Sequence, residues 1–139
     1  FTGINCIIKK DSISRTLNVQ NMNTTREYLV GKYHLEILTL PRLYFNDVVI
    51  SQDRINEIII PMYGSLEISK SQGPAALFVK KNGQNIWVYD FDDDRNIENI
   101  NIQPGKYMIS FRYGRSSSTA HTILKEFKIT SGQKINIKL

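Results

Sequence analysis

Residues 105–113 read GKYMISFRY, and residues 31–37 read GKYHLEI. In each stretch, Gly-Lys-Tyr leads into a run in which apolar and polar side chains alternate. A period of two is typical of a β-strand that buries one face and exposes the other. The same alternation recurs along the chain, and no segment carries a convincing helical period of apolar residues. The sequence therefore predicts an all-β fold.

The predicted connections are turns of the kind that join strands. Asn82-Gly83 is the strongest short hairpin signal in the chain, because both residue types tolerate a positive φ. The TSGQ stretch at residues 130–133 predicts another hairpin, between the last two strands. Pro104-Gly105 marks a turn that enters a strand.

The two Gly-Lys-Tyr strands predict a duplicated unit. After a loop, each is followed by a closing segment of thirteen residues, VVISQDRINEIII at 48–60 and FKITSGQKINIKL at 127–139. Both segments read as a strand, a tight turn and a strand, which favours one small unit built twice. In each copy we expect the glycine to supply a positive φ at the strand entry. Tyr33 and Tyr107 would then begin the buried series of each copy.

The expected fold class is all-β, with tandem antiparallel β-sandwich modules. The first module would span residues 1–61 and could be incomplete at its N-terminus. The second would span residues 62–139. The boundary is placed where Pro61 and Gly64 interrupt the strand pattern. A single twelve-strand sandwich is the alternative.

Composition and charge limit the class of protein. The 139-residue chain is 41% hydrophobic and 22% charged, as is usual for a globular protein. No apolar run approaches the roughly 18 residues of a membrane-spanning helix, so we expect no direct membrane insertion. The net charge is +5, but the basic residues are scattered, which favours a solvated surface and no nucleic-acid partner. Nucleic-acid binding by an OB-like barrel is a weaker alternative.

Two single residues bear on context. The chain opens on Phe1 rather than Met, so we expect a piece cut from a longer precursor, which would hide any targeting segment. The one cysteine, Cys6, lies in the apolar run INCIIK and forms no internal disulfide framework. We expect it to behave as a small buried hydrophobic residue.

The Gly-Lys-Tyr strand with its closing segment looks like the PEGA-type and prealbumin-like (carboxypeptidase regulatory) or Ig-like β-sandwich modules of bacterial surface proteins. More specifically, the sequence from about Leu17 to Leu139 resembles the carboxy-terminal region of secreted von Willebrand factor type A (VWA) domain proteins of gut-type Gram-negative bacteria. The stretches that carry this resemblance are NVQNMNTTREYLVGKYHLEILTLPRLYFNDVVIS, IWVYDFDDD and INIQPGKYMISFRYGRSSSTAHTILKEFKITSGQKINIKL. The resemblance implies a periplasmic, cell-surface or extracellular location.

The resemblance implies no metal site in this chain. In the VWA family any metal is held by an Asp-x-Ser-x-Ser motif in the upstream VWA domain, and that motif is absent here. KDSIS at residues 10–14 has its serines one place too early, and RSSST has no aspartate. We therefore predict no metal ligand and no cofactor.

The sharpest metal candidate in the residues themselves is the acidic turn DFDDDRN. Asp90, Asp92 and Asp94 have the spacing of a calcium loop. The loop, however, has Arg95 where the sharp turn needs glycine and Asn101 where a bidentate glutamate belongs. We interpret it as a structural acidic turn, and cation binding by these aspartates stays open.

No catalytic residue is predicted. His34 lies on the polar face of its strand beside Glu36, and His121 lies in a Ser/Thr-rich loop. Both are expected to be solvated, and no local pattern indicates a nucleophile paired with a base. A small hydrolase is the alternative, and it would need one of these histidines within hydrogen-bond reach of a serine or aspartate.

The aromatic residues of one strand are the candidate ligand-binding group. In IWVYDF, the alternation predicts that Trp87, Tyr89 and Phe91 share one face. That face could stack on sugar rings if it is exposed. The competing interpretation is a central strand buried on both faces.

These observations predict a non-catalytic protein rather than an enzyme. We expect an accessory β-sandwich region that acts as a spacer, protein-interaction or adhesion element next to a VWA domain. The alternative is a carbohydrate-binding module that uses the aromatic strip around Trp87 and Tyr89. The expected partner is accordingly a protein or a surface glycan.

Overall fold

The computed structural model describes residues 3–113 and 122–139. The regular structure of these residues consists of eleven β-strands and no helix, which confirms the predicted all-β, sandwich-type fold. His121 and the predicted Ser/Thr-rich segment RSSST lie outside the described residues. The strands are β1 (Asn5–Lys9), β2 (Asn18–Asn21), β3 (Gly31–Ile37), β4 (Leu43–Ile50), β5 (Gly64–Ser69), β6 (Ala75–Lys81), β7 (Gln84–Phe91), β8 (Ile97–Ile102), β9 (Gly105–Arg112), β10 (Thr122–Ile129) and β11 (Lys134–Lys138).

The chain divides into two compact units, Phe1–Ile60 and Pro61–Leu139. The sequence predicted this boundary between residues 61 and 62, which is one residue after the observed boundary between Ile60 and Pro61.

The first unit has one four-stranded antiparallel sheet in the order β2-β1-β3-β4. Alternate residues of its central strands point to one face, where Cys6, Ile8, Tyr33 and Ile37 are buried. Side chains from the connections, which are not in strands, pack against this core; among them are Met22, Tyr28, Ile58 and Ile60.

The second unit has two sheets. One is antiparallel in the order β10-β9-β6-β7, and the other has the order β11-β5-β8. The alternation of GKYMISFRY sets the core face of β9 as predicted, since Tyr107, Ile109 and Phe111 are all at most 1% exposed. From the other sheet, Leu66 and Ile68 of β5 are completely buried.

The hairpin predicted at Asn82-Gly83 is confirmed. It joins β6 to β7, and Lys81 pairs with Gln84 across it. Asn82 has φ 50° and Gly83 has φ 73°, which is the left-handed conformation that two-residue hairpin turns require.

The hairpin predicted at residues 130–133 is wrong. Strand β10 pairs with β9, whereas β11 pairs in parallel with β5 in the other sheet. The turn at Gly132, with φ 71°, therefore carries the chain from one sheet to the other. Alternation reports which side chains are buried and not which strand lies alongside, so the sequence could not separate a hairpin from a crossing between sheets.

The positive φ predicted for both Gly-Lys-Tyr glycines is observed at only one of them. Gly31 has φ 157°, as predicted, whereas Gly105 has no positive φ. At Gly105, a Cβ atom would lie 3.5 Å from Cε2 of Tyr107, which is ordinary van der Waals contact. The tyrosine that follows, rather than the glycine, has the same burial and the same type of hydroxyl bond in both stretches.

Tyr33 and Tyr107 make matching contacts. Both rings are buried, at 4% and 1% exposure. The hydroxyl of Tyr33 donates to the carbonyl oxygen of Leu29 at 2.6 Å, and that of Tyr107 donates to the carbonyl oxygen of Gln103 at 2.5 Å. Each tyrosine thus fastens the segment four residues before it to the start of its strand.

Candidate binding surface

A β-bulge in β7 decides where the candidate aromatic residues point. Tyr89 lies opposite Leu77 of β6, and Trp87 lies opposite Phe78, so Val88 is the extra residue without a cross-strand partner. Because a bulge of this kind adds one residue to the strand, two residues that are two positions apart across it point to opposite faces of the sheet.

The predicted aromatic strip on one face is therefore wrong. Tyr89 shares the face of its partner Leu77, which is completely buried, whereas Trp87 lies on the opposite face with Phe78. Trp87 is 57% exposed and Phe91 is 3% exposed. Strict alternation along IWVYDF predicted all three on one face. The bulge arises from the pairing with β6, so the local sequence gives no sign of it.

Tyr89 and Phe91 belong to the inner side of the second unit. Their rings meet edge to face, with centroids 5.1 Å apart. The Tyr89 hydroxyl donates to Oε1 of Glu98 at 3.3 Å. Burial and the neighbouring Glu98 carboxylate raise the pKa of Tyr89, so the phenol stays a neutral donor. These contacts are structural and leave Trp87 as the exposed candidate.

Trp87 is held in a fixed position although it is exposed. Its indole Nε1 donates to Oδ1 of Asp90 at 2.8 Å. Asp90 lies opposite Ala76, on the same outer face, because the bulge brings residues 87 and 90 to that side. A side chain that is already ordered loses less conformational entropy when it binds a ligand.

Trp87 begins an apolar row that crosses the outer face of the four-stranded sheet. Phe78 of β6 lies opposite Trp87, and Met108 of β9 lies opposite Phe78. We call Trp87, Phe78 and Met108 the apolar row. Phe78 and Met108 are half-buried. The sequence did contain a signal for them, because both are large apolar residues at outward positions of alternating strands.

Polar and charged side chains border the apolar row. Glu126 of β10 lies opposite Met108 and pairs with Lys80, whose Nζ is 2.5 Å from Oε1 of Glu126. Asn85 lies opposite Lys80 and places its Nδ2 3.8 Å from Sδ of Met108. An apolar, aromatic centre within a polar rim is the usual composition of a protein-binding surface.

The acidic turn does not gather its carboxylates. Asp92 accepts a hydrogen bond from the backbone N of Asp94 at 3.0 Å, and its other oxygen lies 3.6 Å from Nε of Arg95. Asp90 is bonded to Trp87 instead. Across residues 3–113 and 122–139, no group of three or more His, Cys, Asp or Glu side chains is arranged to hold a metal ion.

A buried lysine holds this turn. Lys70 is 5% exposed, and its Nζ donates to the carbonyl oxygens of Gly73 at 3.1 Å and Asp93 at 3.2 Å. Lys70 therefore ties the loop before β6 to the acidic turn after β7. This contact supports a structural role for the turn.

A second polar cluster lies in the first unit, around Glu36. Its carboxylate is 2.8 Å from Nζ of Lys9 and 3.1 Å from Nη1 of Arg42. The hydrogen bond and charge of Lys9, which outweigh the opposing effect of burial, hold the pKa of Glu36 below its ordinary value, and Arg42 adds to this. Glu36 is therefore ionised at neutral pH. The sequence placed Glu36 beside His34, but the contact with Lys9 depends on the pairing of β1 with β3.

His34 is buried in this cluster, so its predicted solvation is wrong. It is 6% exposed, and its Nε2 lies 3.6 Å from Oε1 of Glu36. The ring of Tyr44 lies over it at 6.1 Å between centroids. These neighbours explain the burial of His34. Its imidazole lies on the face predicted to be polar, but Tyr44 of the adjacent strand β4 covers it.

Cys6 is buried, as the sequence predicts, at 4% exposure. Burial raises the pKa of its thiol to about 11. The thiol is therefore protonated at neutral pH and packs as an apolar side chain.

Comparison of the sequence and structure with protein-family models, with curated proteins and with solved structures finds no match. A search of the described residues for a helix long and apolar enough to cross a membrane also finds none.

Proposed function

We propose that this chain is a non-catalytic accessory region of a bacterial protein of the periplasm or cell surface, and that it serves as a protein-interaction or adhesion element next to a VWA domain. The VWA context and the compartment rest on the sequence resemblance described above. The binding role rests on one structural observation, the apolar row on the outer face of the second unit.

The apolar row has the properties of an interaction centre. Tryptophan, the residue type of Trp87, is among those most enriched at energetically dominant interface positions. Trp87 is 57% exposed and oriented by Asp90. Phe78 and Met108 extend it across the sheet as further apolar contact area. The Lys80–Glu126 pair at the border would limit which partners can dock without leaving a charge unpaired.

The test is site-specific photo-crosslinking in the source bacterium. A photoreactive phenylalanine analogue in place of Trp87 is expected to give an adduct with a surface protein or with the VWA domain. The same analogue in place of Ile97, which is 61% exposed on the other sheet, is the control. Equal adduct formation from positions 87 and 97 would exclude the apolar row as the binding surface.

A quantitative companion measures binding of the purified chain to the captured partner. Trp87→Ala should weaken binding by about 2 kcal/mol, roughly 30-fold, as for a dominant interface tryptophan. Its unfolding midpoint should stay close to that of the wild type, because the side chain is exposed. Ile97→Ala is the matched control and should bind like the wild type.

Glycan binding is a second candidate, favoured by the fixed indole. A pyranose ring can stack on an exposed tryptophan, and the side chains of Asn85 and Asp90 lie on the same outer face. A glycan array is the test, with Trp87→Ala expected to abolish binding. Tyr89→Phe should leave it intact because Tyr89 faces the other side of the sheet. Array binding that survives Trp87→Ala would reject this candidate.

A further inference from the structure

The pairing of three strands gathers lysines that are far apart in the sequence. On the outer face of the four-stranded sheet of the second unit, Lys128 of β10 lies directly opposite Lys106 of β9. Lys80 of β6 comes level with Lys106 when the register of β6 and β9 is continued by one residue. We call Lys128, Lys106 and Lys80 the lysine row. The basic residues are scattered along the sequence, and these three meet only through strand pairing.

The burial of the neighbouring residues shows which way the lysine row points. Tyr107 follows Lys106 in the chain and is 1% exposed, and Ile129 follows Lys128 and is completely buried. Because successive side chains of a strand point to opposite faces, both lysines point outwards. Lys106 and Lys128 are exposed, and Lys80 is half-buried.

Two of the three positive charges have no carboxylate partner among the described residues. Lys80 is paired with Glu126. In the ranges 3–113 and 122–139, no ion pair includes Lys106 or Lys128. Like charges directly opposite each other destabilise an antiparallel pair of strands. An anion bound between the two ammonium groups would replace this repulsion by attraction.

The lysine row runs beside the apolar row. Lys106 lies two residues before Met108 in β9. Lys80 lies two residues after Phe78 in β6, so the two rows are roughly 7 Å apart along the strands. Both rows follow cross-strand partners and therefore run across the sheet in the same direction. The outer face thus has positive charge along one side of a strip and aromatic and apolar side chains along the other.

We propose that this face binds an acidic polysaccharide, a glycan chain whose uronic acid rings carry carboxylates. The carboxylates would lie against Lys106 and Lys128 in charge-assisted hydrogen bonds, while a pyranose ring stacks on Trp87. This inference rests on the proposed adhesion role of the outer face and names the chemical class of its ligand.

Acidic residues of the same face favour a polysaccharide over other polyanions. Asp90 accepts a hydrogen bond from the Trp87 indole, so a carboxylate lies beside the stacking position. A nucleic acid has a phosphate on every nucleotide, and a base stacked on Trp87 would bring phosphates towards Asp90. A uronic acid ring also has neutral hydroxyl groups, which donate hydrogen bonds to a carboxylate. An acidic peptide made of glutamate has no ring that stacks on Trp87.

The test measures binding of the full chain to an oligogalacturonate by titration calorimetry. The methyl ester of the same oligosaccharide is the matched probe, because it keeps the rings and linkages and removes the charge. We expect the acid to bind at least about tenfold more tightly than the ester. Binding of the acid should also weaken as the salt concentration rises. Equal affinity for acid and ester would overturn the proposal.

Two double variants with the same change of net charge locate the site. Lys106→Gln with Lys128→Gln should weaken binding about tenfold. Its urea midpoint should not fall below that of the wild type, because the substitutions are exposed and relieve repulsion. Lys134→Gln with Lys138→Gln is the control, since both side chains are exposed on β11 in the other sheet, and it should bind like the wild type. Equal losses from the two double variants would mean general attraction to a basic chain and would overturn the proposal.

Competing polyanions decide the class of ligand. Tighter binding of a thymidine oligonucleotide would assign the face to single-stranded nucleic acid, and tighter binding of polyglutamate would assign it to an acidic peptide; either result overturns the proposal. Trp87→Ala should weaken oligogalacturonate binding as well. Crosslinking from position 87 without oligogalacturonate binding would overturn this inference and leave the proposed function standing. Lysine-dependent binding that Trp87→Ala leaves unchanged would support the lysine row and reject the apolar row.

Discussion

Tyr107 fastens the segment before β9 through a single buried hydrogen bond. Its hydroxyl donates to the carbonyl oxygen of Gln103 at 2.5 Å, and its ring stacks on Phe127 at 5.6 Å between centroids. Burial raises the pKa of the Tyr107 hydroxyl, so the phenol stays protonated and donates at neutral pH. Removing the hydroxyl would leave the Gln103 carbonyl buried without this partner.

Tyr107→Phe should therefore lower the free energy of unfolding by about 1 to 2 kcal/mol, the usual cost of a buried acceptor left unpaired. Tyr113→Phe is the matched control, since Tyr113 is 51% exposed, and it should change stability by less than about 0.5 kcal/mol. Urea denaturation of both variants checks this. Equal losses for the two would mean that the Tyr107 contact does not stabilise the strand entry.

Glu36 gives the first unit a predictable dependence on pH. Lys9 and Arg42 lower the pKa of its carboxyl group in the folded protein below the ordinary value of 4.5. A lowered folded-state pKa adds stability above the ordinary value, and this contribution is lost as the pH falls through the folded-state value. The stability difference between wild type and Glu36→Gln should thus be largest at neutral pH and shrink below pH 4.5. The exposed Glu57→Gln is the control, and a difference that grows in acid would contradict the assignment.

At the scale of the strand, the bulge at Val88 makes a sharp prediction. Without Val88, residues 87 and 89 would lie opposite Phe78 and Leu77 in regular succession, with Trp87 still outside and Tyr89 still inside. Deletion of Val88 should therefore cost less than about 1 kcal/mol, whereas deletion of Ile86 forces Trp87 towards the core and should cost more than about 2 kcal/mol. Urea denaturation measures both, and quenching of the single tryptophan reports its exposure. A buried Trp87 after deletion of Val88 would contradict the assignment of Val88 as the extra residue of the bulge.

The strands also show what the sequence could and could not predict. Regular alternation identified the inward residues of β9 and the hairpin at Asn82-Gly83, because both depend on local spacing. It failed at Trp87, where the face depends on the pairing with β6. It failed again after Ile129, where the partner of β11 is the distant strand β5. The contact of Glu36 with Lys9 could not be predicted from the sequence for the same reason, since it is created by the pairing of β3 with β1.

At the scale of the whole molecule, the two units differ in the size of their cores. Among the described residues, four buried apolar side chains belong to the first unit, namely Cys6, Ile8, Tyr33 and Ile37. Eleven belong to the second: Leu66, Ile68, Ala75, Leu77, Val79, Phe91, Ile102, Tyr107, Ile109, Phe111 and Ile129. A domain of about 60 residues buries a smaller share of its surface on folding than a larger domain does, and it is marginal unless its core is well filled.

Residues 61–139 produced alone should therefore fold cooperatively, with amide chemical shifts close to those in the full chain. Residues 1–60 alone should lack a cooperative unfolding transition, because four buried apolar residues offset little of the conformational entropy lost on folding. Circular dichroism during urea titration measures both. A first unit that unfolds cooperatively by itself would contradict this prediction.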